Sequence, residues 1–151
     1  MTFTTSPYNL QWGQSVFAQV VATNIKGSSL TSLGGNGAVI LTNPDAPLNF
    51  VNVALVTTGY QIGLSWTQGL SNGGTPVLDY KIMYDQATNN YVTLDSSISA
   101  LTFTAINLTP GLSYSFKIES RNAFGYSLGS TTVVVLAAQY PDTPLAPTTT
   151  F

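Results

Sequence analysis

One spacing constrains this chain more than any other feature. Leu10, Gly13, Ser15, Asn24, Gly27, Ser29 and Leu30 match Leu108, Gly111, Ser113, Asn122, Gly125, Ser127 and Leu128, each 98 positions later. The run Pro44-Asp-x-Pro-Leu48 returns as Pro141-Asp-x-Pro-Leu145, 97 positions later. Even Met1-Thr-Phe-Thr4 resembles Leu101-Thr-Phe-Thr104. A repeat of this length in a chain of 151 residues leaves room for one whole unit and parts of its neighbours. The two proline-rich breaks, Asn43-Pro-Asp-Ala-Pro47 and Tyr140-Pro-Asp-Thr-Pro144, mark the seams, because proline fixes φ and removes a donor. The expected division is the last three strands of one unit over 1–43, a complete unit over 44–139, and a linker with the first strand of a further unit over 140–151.

Within the complete unit, turn signals at Ser71-Asn-Gly-Gly74, Asn89-Asn90 and Pro110-Gly111 separate short apolar-patterned stretches. Strands are expected near 48–55, 60–67, 77–85, 90–94, 100–106, 112–121 and 130–137. Seven short strands without helical periodicity predict an all-β, antiparallel, immunoglobulin-like β-sandwich. In the first unit, Val16, Ala18, Val20 and Ala22 alternate with Phe17, Gln19, Val21 and Thr23, and a turn at Asn24-Ile-Lys-Gly27 follows. Gly34-Gly-Asn-Gly37 reads as a hairpin loop rather than a phosphate cradle, since no helix follows it.

Composition removes several functions. There is no histidine and no cysteine. Disulfides, imidazole or thiolate metal sites and Ser-His or Cys-His nucleophiles are therefore absent. The acidic residues are scattered rather than spaced as a calcium loop, so no metal and no cofactor are expected. Charged residues form 7% of the chain, four basic and six acidic. That gives no basic footprint for nucleic acid, and no apolar run reaches the ~20 residues of a membrane span. So few charges suit a chain that is shielded by glycans or is meant to pack in an ordered assembly.

Taken together, Pro44 and Pro47, Ile62-x-Leu64-x-Trp66, Asn72-Gly-Gly before Tyr80-x-Ile82, Leu108-x-Pro110-x-x-x-Tyr114 leading to Phe116-x-Ile118, and Asn122-Ala-Phe-Gly125 resemble the fibronectin type III family. The resemblance covers 44–139 fully and 1–43 partly. It implies that Trp66, Tyr80, Ile82, Phe116 and Ile118 form the core between two sheets. It also implies that Tyr114 is the tyrosine corner, whose hydroxyl ties back to upstream backbone. The first unit departs from the pattern, with Val16 in the tyrosine's place and Trp12 in the proline's. Tandem arrays of this style resemble those in large surface or secreted proteins of bacteria and protists, so the resemblance implies an extracellular or cell-surface location.

If Tyr80, Ile82, Phe116 and Ile118 face inward, then Asp79, Lys81, Asp85, Lys117, Glu119 and Arg121 face outward on one surface. That surface is either a solvated face with cross-strand ion pairs or a charge-complementary contact with a neighbouring module. In the first unit the corresponding face is apolar. Phe17 and Val21 are candidate interface residues, set against a merely tolerant surface. Trp12 is either a cap on its own core or an interface anchor. Asn107-Leu-Thr109 is an N-glycosylation sequon, and Thr148-Thr-Thr150 is either an O-glycan acceptor or simply extended linker or first strand. The absence of an Arg-Gly-Asp triplet leaves nothing for integrin binding.

The functional expectation is a non-enzymatic structural module of an extracellular tandem-repeat protein that contributes to a cell-surface or secreted filament, with neighbouring copies or repeats and glycans as partners. The alternative is an adhesion or recognition module: an adhesin, a receptor ectodomain, or a spacer attached to a carbohydrate-active enzyme. An independent enzyme lacks the residues for it. The open edge left by 1–43 calls either for upstream strands or for strands donated by a neighbour.

Overall fold

The computed structural model describes residues 3–35, 37–139, 141 and 143–148. In chain order the strands are β1 (Ser15–Val16), β2 (Thr23–Asn24), β3 (Gly27–Ser28), β4 (Ala38–Val39), β5 (Leu48–Asn52), β6 (Ile62–Thr67), β7 (Asp79–Tyr84), β8 (Val92–Ile98), β9 (Thr102–Ala105), β10 (Ser113–Arg121) and β11 (Val133–Leu136). From β5 onward they form two antiparallel sheets, ordered β5-β6-β9 and β11-β10-β7-β8. These pack face to face as an immunoglobulin-like sandwich.

Period-2 alternation explains what each strand buries. Along β10, Tyr114, Phe116, Ile118 and Ser120 point inward, while Ser115, Lys117, Glu119 and Arg121 lie on the outer face. Ile62, Leu64 and Trp66 of β6, with Phe50 and Ala105, meet them from the opposite sheet, while Tyr80, Ile82 and Val135 flank them within their own. Each of the large aliphatic and aromatic side chains among them contributes about 1.5–3 kcal/mol by leaving water. Trp66 sits edge-on between Phe50 and Tyr80, at centroid distances of 6.2 and 5.4 Å. Its indole N–H is buried and has no hydrogen-bond partner among the described residues. The Tyr114 hydroxyl accepts from the Thr109 N–H at 2.9 Å and closes the turn that delivers β10.

Lead-in to β11 is held differently. Ser127 and Ser130 are buried, and their Oγ atoms accept from the N–H groups of Ser120 and Ile118 at 3.0 and 3.1 Å. Their own N–H groups donate back to Ser120 and Ile118 carbonyls. Hydroxyls thus replace backbone carbonyls in the ladder at three-residue spacing.

The same device occurs 98 residues earlier. Ser29 and Ser32 accept from Ala22 and Val20, and Gly35 N–H donates to the Ala18 carbonyl. Beyond Gly35 the register changes: Ser15 pairs with Val39, whereas its counterpart Ser113 pairs with Leu136. One extra residue between Gly35 and Ala38 accounts for it. That residue is why the repeat shortens from 98 to 97 positions.

Two expectations are corrected here. Gly34–Gly37 is no hairpin loop: Gly35 bonds to Ala18 and Gly37 lies against the Phe17 ring, so the stretch runs along the partner segment. The turn is Ile25-Lys26, flanked by Asn24 paired with Gly27; Asn36 lies outside the described residues. Continuous strands over the first unit are also not found among the described residues. Serine hydroxyls interrupt the ladder into two-residue pieces, and residues 3–8 form bends and turns. Met1 and Thr2 of the Met1–Thr4 repeat lie outside the described residues, as do Tyr140, Asp142 and Thr149–Phe151 of the linker and third-unit strand. Residues 141 and 143–148 are exposed and carry no strand.

Candidate intermodule interface

Sequence alone singles out no pocket, and the most elaborate polar arrangement in the molecule is the junction between the first hairpin and the sandwich. It is built from three short stretches: the linker 41–45, the β6–β7 loop at 71–74, and the turn 122–125 after β10. Asn122 is 2% exposed and sits at their meeting point. Its amide Nδ2 donates to the Thr42 and Asn72 carbonyls, both at 2.8 Å. Its Oδ1 accepts from the N–H groups of Phe124 and Gly125 at 2.9 and 3.0 Å. One side chain therefore uses its full amide chemistry to fasten two loops and the linker.

The linker adds its own bonds. Thr42 N–H donates to the Gly73 carbonyl and Asp45 N–H to the Ser71 carbonyl, both at 2.9 Å. The Asp45 carboxylate accepts from Ser71 N–H at 2.9 Å, and the buried Ser120 hydroxyl donates to the Asp45 carbonyl at 2.8 Å. Gly73 and Gly74 have φ of 71° and 91°, a region that L side chains avoid. Space forbids a side chain there as well. A Cβ on Gly73 would overlap the Thr42 carbonyl, and one on Gly74 would overlap the Gly13 nitrogen. Backbone meets backbone across this seam.

The charged face partly departs from the sequence reading. Lys81 and Glu119 stand opposite each other and pair at 2.6 Å. Arg121 forms a two-pronged pair with Asp79, its cross-strand partner. Hydrogen bonding to Asp79, with its charge, raises the Arg121 pKa. Lys81 and Arg121 lie over the Tyr126 ring, and Lys117 over Tyr91. Asp79 and Asp85, however, are buried. Arg121 covers Asp79. Asp85 follows the end of β7, where alternation stops, and its Oδ1 accepts from Ala87 and Ser115 N–H at 3.0 and 2.9 Å. Burial pushes its carboxyl up, but these N–H donors outweigh it and hold the pKa below the ordinary value. Burial raises the Tyr80 phenol.

Of the residues singled out in sequence, Trp66, Tyr80, Ile82, Tyr114, Phe116 and Ile118 are all buried. Trp12, Phe17 and Val21 are exposed at 44, 66 and 47%. Both faces of the first hairpin are open, since no second sheet lies on either side among the described residues. Asn107 is exposed, in the left-handed region at φ 60°. Among the described residues no three acidic groups gather in a way that would hold a metal, and no helix is long and apolar enough to cross a membrane. The role of Asn122 went unread in sequence, where it marks only a turn. The signal available was its recurrence at Asn24, whose Oδ1 likewise accepts an N–H two residues on.

Comparison with known proteins gives this architecture a family. The profile of the fibronectin type III domain matches residues 45–135. Titin domains A168–A170 share the fold with a TM-score of 0.64 at 20% identity, over 86% of this chain and 43% of that one. The twitchin kinase region from C. elegans aligns with a TM-score of 0.58 at 23% identity, over 64% of this chain and 17% of its own. The fourth FNIII domain of a human protein aligns with a TM-score of 0.60 at 13% identity, over 83% of this chain and all of that one. The chain thus spans less than half of the titin and twitchin structures it matches. On the extent of the profile match and the agreement of fold, the chain belongs to the fibronectin type III domain family, whose members serve as structural or recognition modules in multidomain proteins.

Proposed function

We propose that this chain is a non-enzymatic structural segment of an extracellular tandem-repeat protein and contributes to a cell-surface or secreted filament. In this reading, 44–139 is the complete module, 1–43 is the C-terminal part of the preceding repeat, and 140–151 is the linker and first strand of the next. The observation that carries it is the Asn122 junction, where linker and loops are bonded to one another instead of joined by free chain. A seam of this kind transmits orientation from one module to the next and yields a stiff array. Strands of the preceding repeat would cover Trp12, Phe17 and Val21. The exposed sequon at Asn107 supports a glycosylated, extracellular setting.

A second reading, an adhesion or recognition module, is favoured by Leu70 and Phe124, which are 91 and 60% exposed on adjoining loops at one end of the sandwich. Electron microscopy and intact mass of material from the natural source decide between them. Filaments with an axial repeat of one or two modules, and a mass above the polypeptide value, support the filament. Discrete particles that capture a glycan or protein ligand through the 70–74 and 122–125 loops would replace it with recognition.

A further inference from the structure

The complete module carries at its far end the same half-joint that the first hairpin presents to it. Gly13 N–H donates to the Ile40 carbonyl at 2.8 Å, and Ile40 N–H to the Gln14 carbonyl at 3.0 Å. At the equivalent positions, Gly111 N–H donates to Ala137 and Ala137 N–H to Leu112, both at 2.9 Å. The two glycines share a conformation, with φ of 90° and 80°. Their surroundings differ. A Cβ on Gly13 would lie 3.2 Å from the Gly74 oxygen and 3.3 Å from its Cα, whereas one on Gly111 would meet none of the described residues within 4 Å. The linker chemistry also repeats. Thr42 contributes backbone atoms only, which Gln139 can match, and Asp45 recurs as Asp142.

We infer that the surface around Gly111 and Ala137–Gln139 is a docking site for the Asn-Gly-Gly loop of a further module of this same kind, following in the same polypeptide. The occupant is not a second copy of this chain, because that copy's own Gly73-Gly74 is already closed against its Gly13 and Thr42. It must be a module whose β6–β7 loop is unoccupied, and Pro141–Leu145, which repeats the sequence pattern of Pro44–Leu48, is the linker that would join it. In such a module the counterpart of Gly74 would sit against Gly111. The counterpart of Asn122 would donate to the carbonyl of Gln139. The glycine pair is required because the approach is backbone to backbone, so specificity rests on the absence of Cβ atoms rather than on charge.

This inference rests on the tandem-array reading. Its test is a chain extended by one module: residues 1–145 followed directly by a second copy of residues 49–139, which keeps the natural linker because Leu145 corresponds to Leu48. Residual dipolar couplings and amide shifts are measured by NMR, with the shifts of Ile82 and Ile118 in each copy reporting that both are folded. The expected result is one alignment tensor for the two complete modules, with the Gly111, Leu112 and Ala138 amides shifted from their positions in the original chain. Asn122→Ala in the appended copy should return those amides to their original positions and split the tensor. Two folded modules with independent tensors and unshifted Gly111 would overturn the docking site. Filaments seen in natural material alongside such loose joints would leave the filament reading standing without it.

Discussion

Asn122 gives the sharpest single-residue prediction. Asn122→Ala removes four hydrogen bonds made by a side chain that is 2% exposed. A net value of about 0.5–1.5 kcal/mol per bond gives an upper range near 6 kcal/mol. Asn72 is exposed and Thr42 half-buried, so water recovers part of the loss and the expected cost is roughly 2–4 kcal/mol. Asn122→Asp divides the effect. The carboxylate still accepts from Phe124 and Gly125, but it donates nothing and faces the Thr42 and Asn72 carbonyls. Urea unfolding should place both variants below wild type, with Asp below Ala, because a buried carboxylate facing two carbonyls costs more than the two bonds it keeps. Nitrogen-15 relaxation should show residues 14–40 tumbling with the sandwich in wild type and apart from it in both variants. The reasoning is refuted if both variants unfold within about 0.5 kcal/mol of wild type, or if the hairpin stays coupled without the amide.

Tyr114→Phe should cost about 1 kcal/mol, lowering the melting temperature by ~4–8 °C in a domain of this size, because the Thr109 N–H loses its buried acceptor; an unchanged thermal melt would show that water replaces the hydroxyl. For Asp85 the depressed folded pKa means that its stabilisation is present above the unfolded carboxyl value of about 3.9 and is lost as pH falls through the folded value. Asp85→Asn keeps an oxygen for Ala87 and Ser115, so its urea midpoint should lie below wild type at pH 7 and converge with it below about pH 4; parallel pH curves would sink that account. Glu119→Gln should cost less than about 1 kcal/mol, since the Lys81 pair is partly solvated. A larger loss in a salt titration of stability would show the pair to be part of a coupled network with Tyr126.

The two-sheet architecture was legible because alternation in β6, β7 and β10 is unbroken and aromatic. Trp66, Tyr80 and Phe116 announce a face wherever they recur at period 2. Tyr114 was legible through its spacing from Leu108 and Pro110. What escaped has a common cause: it depends on polar groups whose partners are remote in sequence. Asn122 reaches Thr42 and Asn72, and Ser120 reaches Asp45. Asp85 was misassigned because alternation was extended one residue past Tyr84, where the chain leaves the strand for a turn with left-handed Gln86 and Ala87. In the first unit the run Val16–Thr23 keeps an apolar period of two while Ser29 and Ser32 opposite it bond through their hydroxyls, so a hydrophobic reading sees that unit as better formed than it is.

Those serine hydroxyls bear on how the sheet margin is shaped in a chain with only ten charged residues. Sheet margins are usually guarded by lysines, prolines or bulges, since bare N–H and C=O groups recruit further strands. Along Ser127–Ser130 the guard is geometric. Attachment through Oγ holds that stretch off the regular pleat, and each hydroxyl also donates to the following carbonyl, from Ser127 to Leu128 and from Ser130 to Thr131. Carbonyls that would greet an incoming strand are thus already spoken for. Replacing Ser127 and Ser130 with valine is expected to raise β propensity and free the Leu128 and Thr131 carbonyls, so thioflavin-T-monitored aggregation should be faster than in wild type.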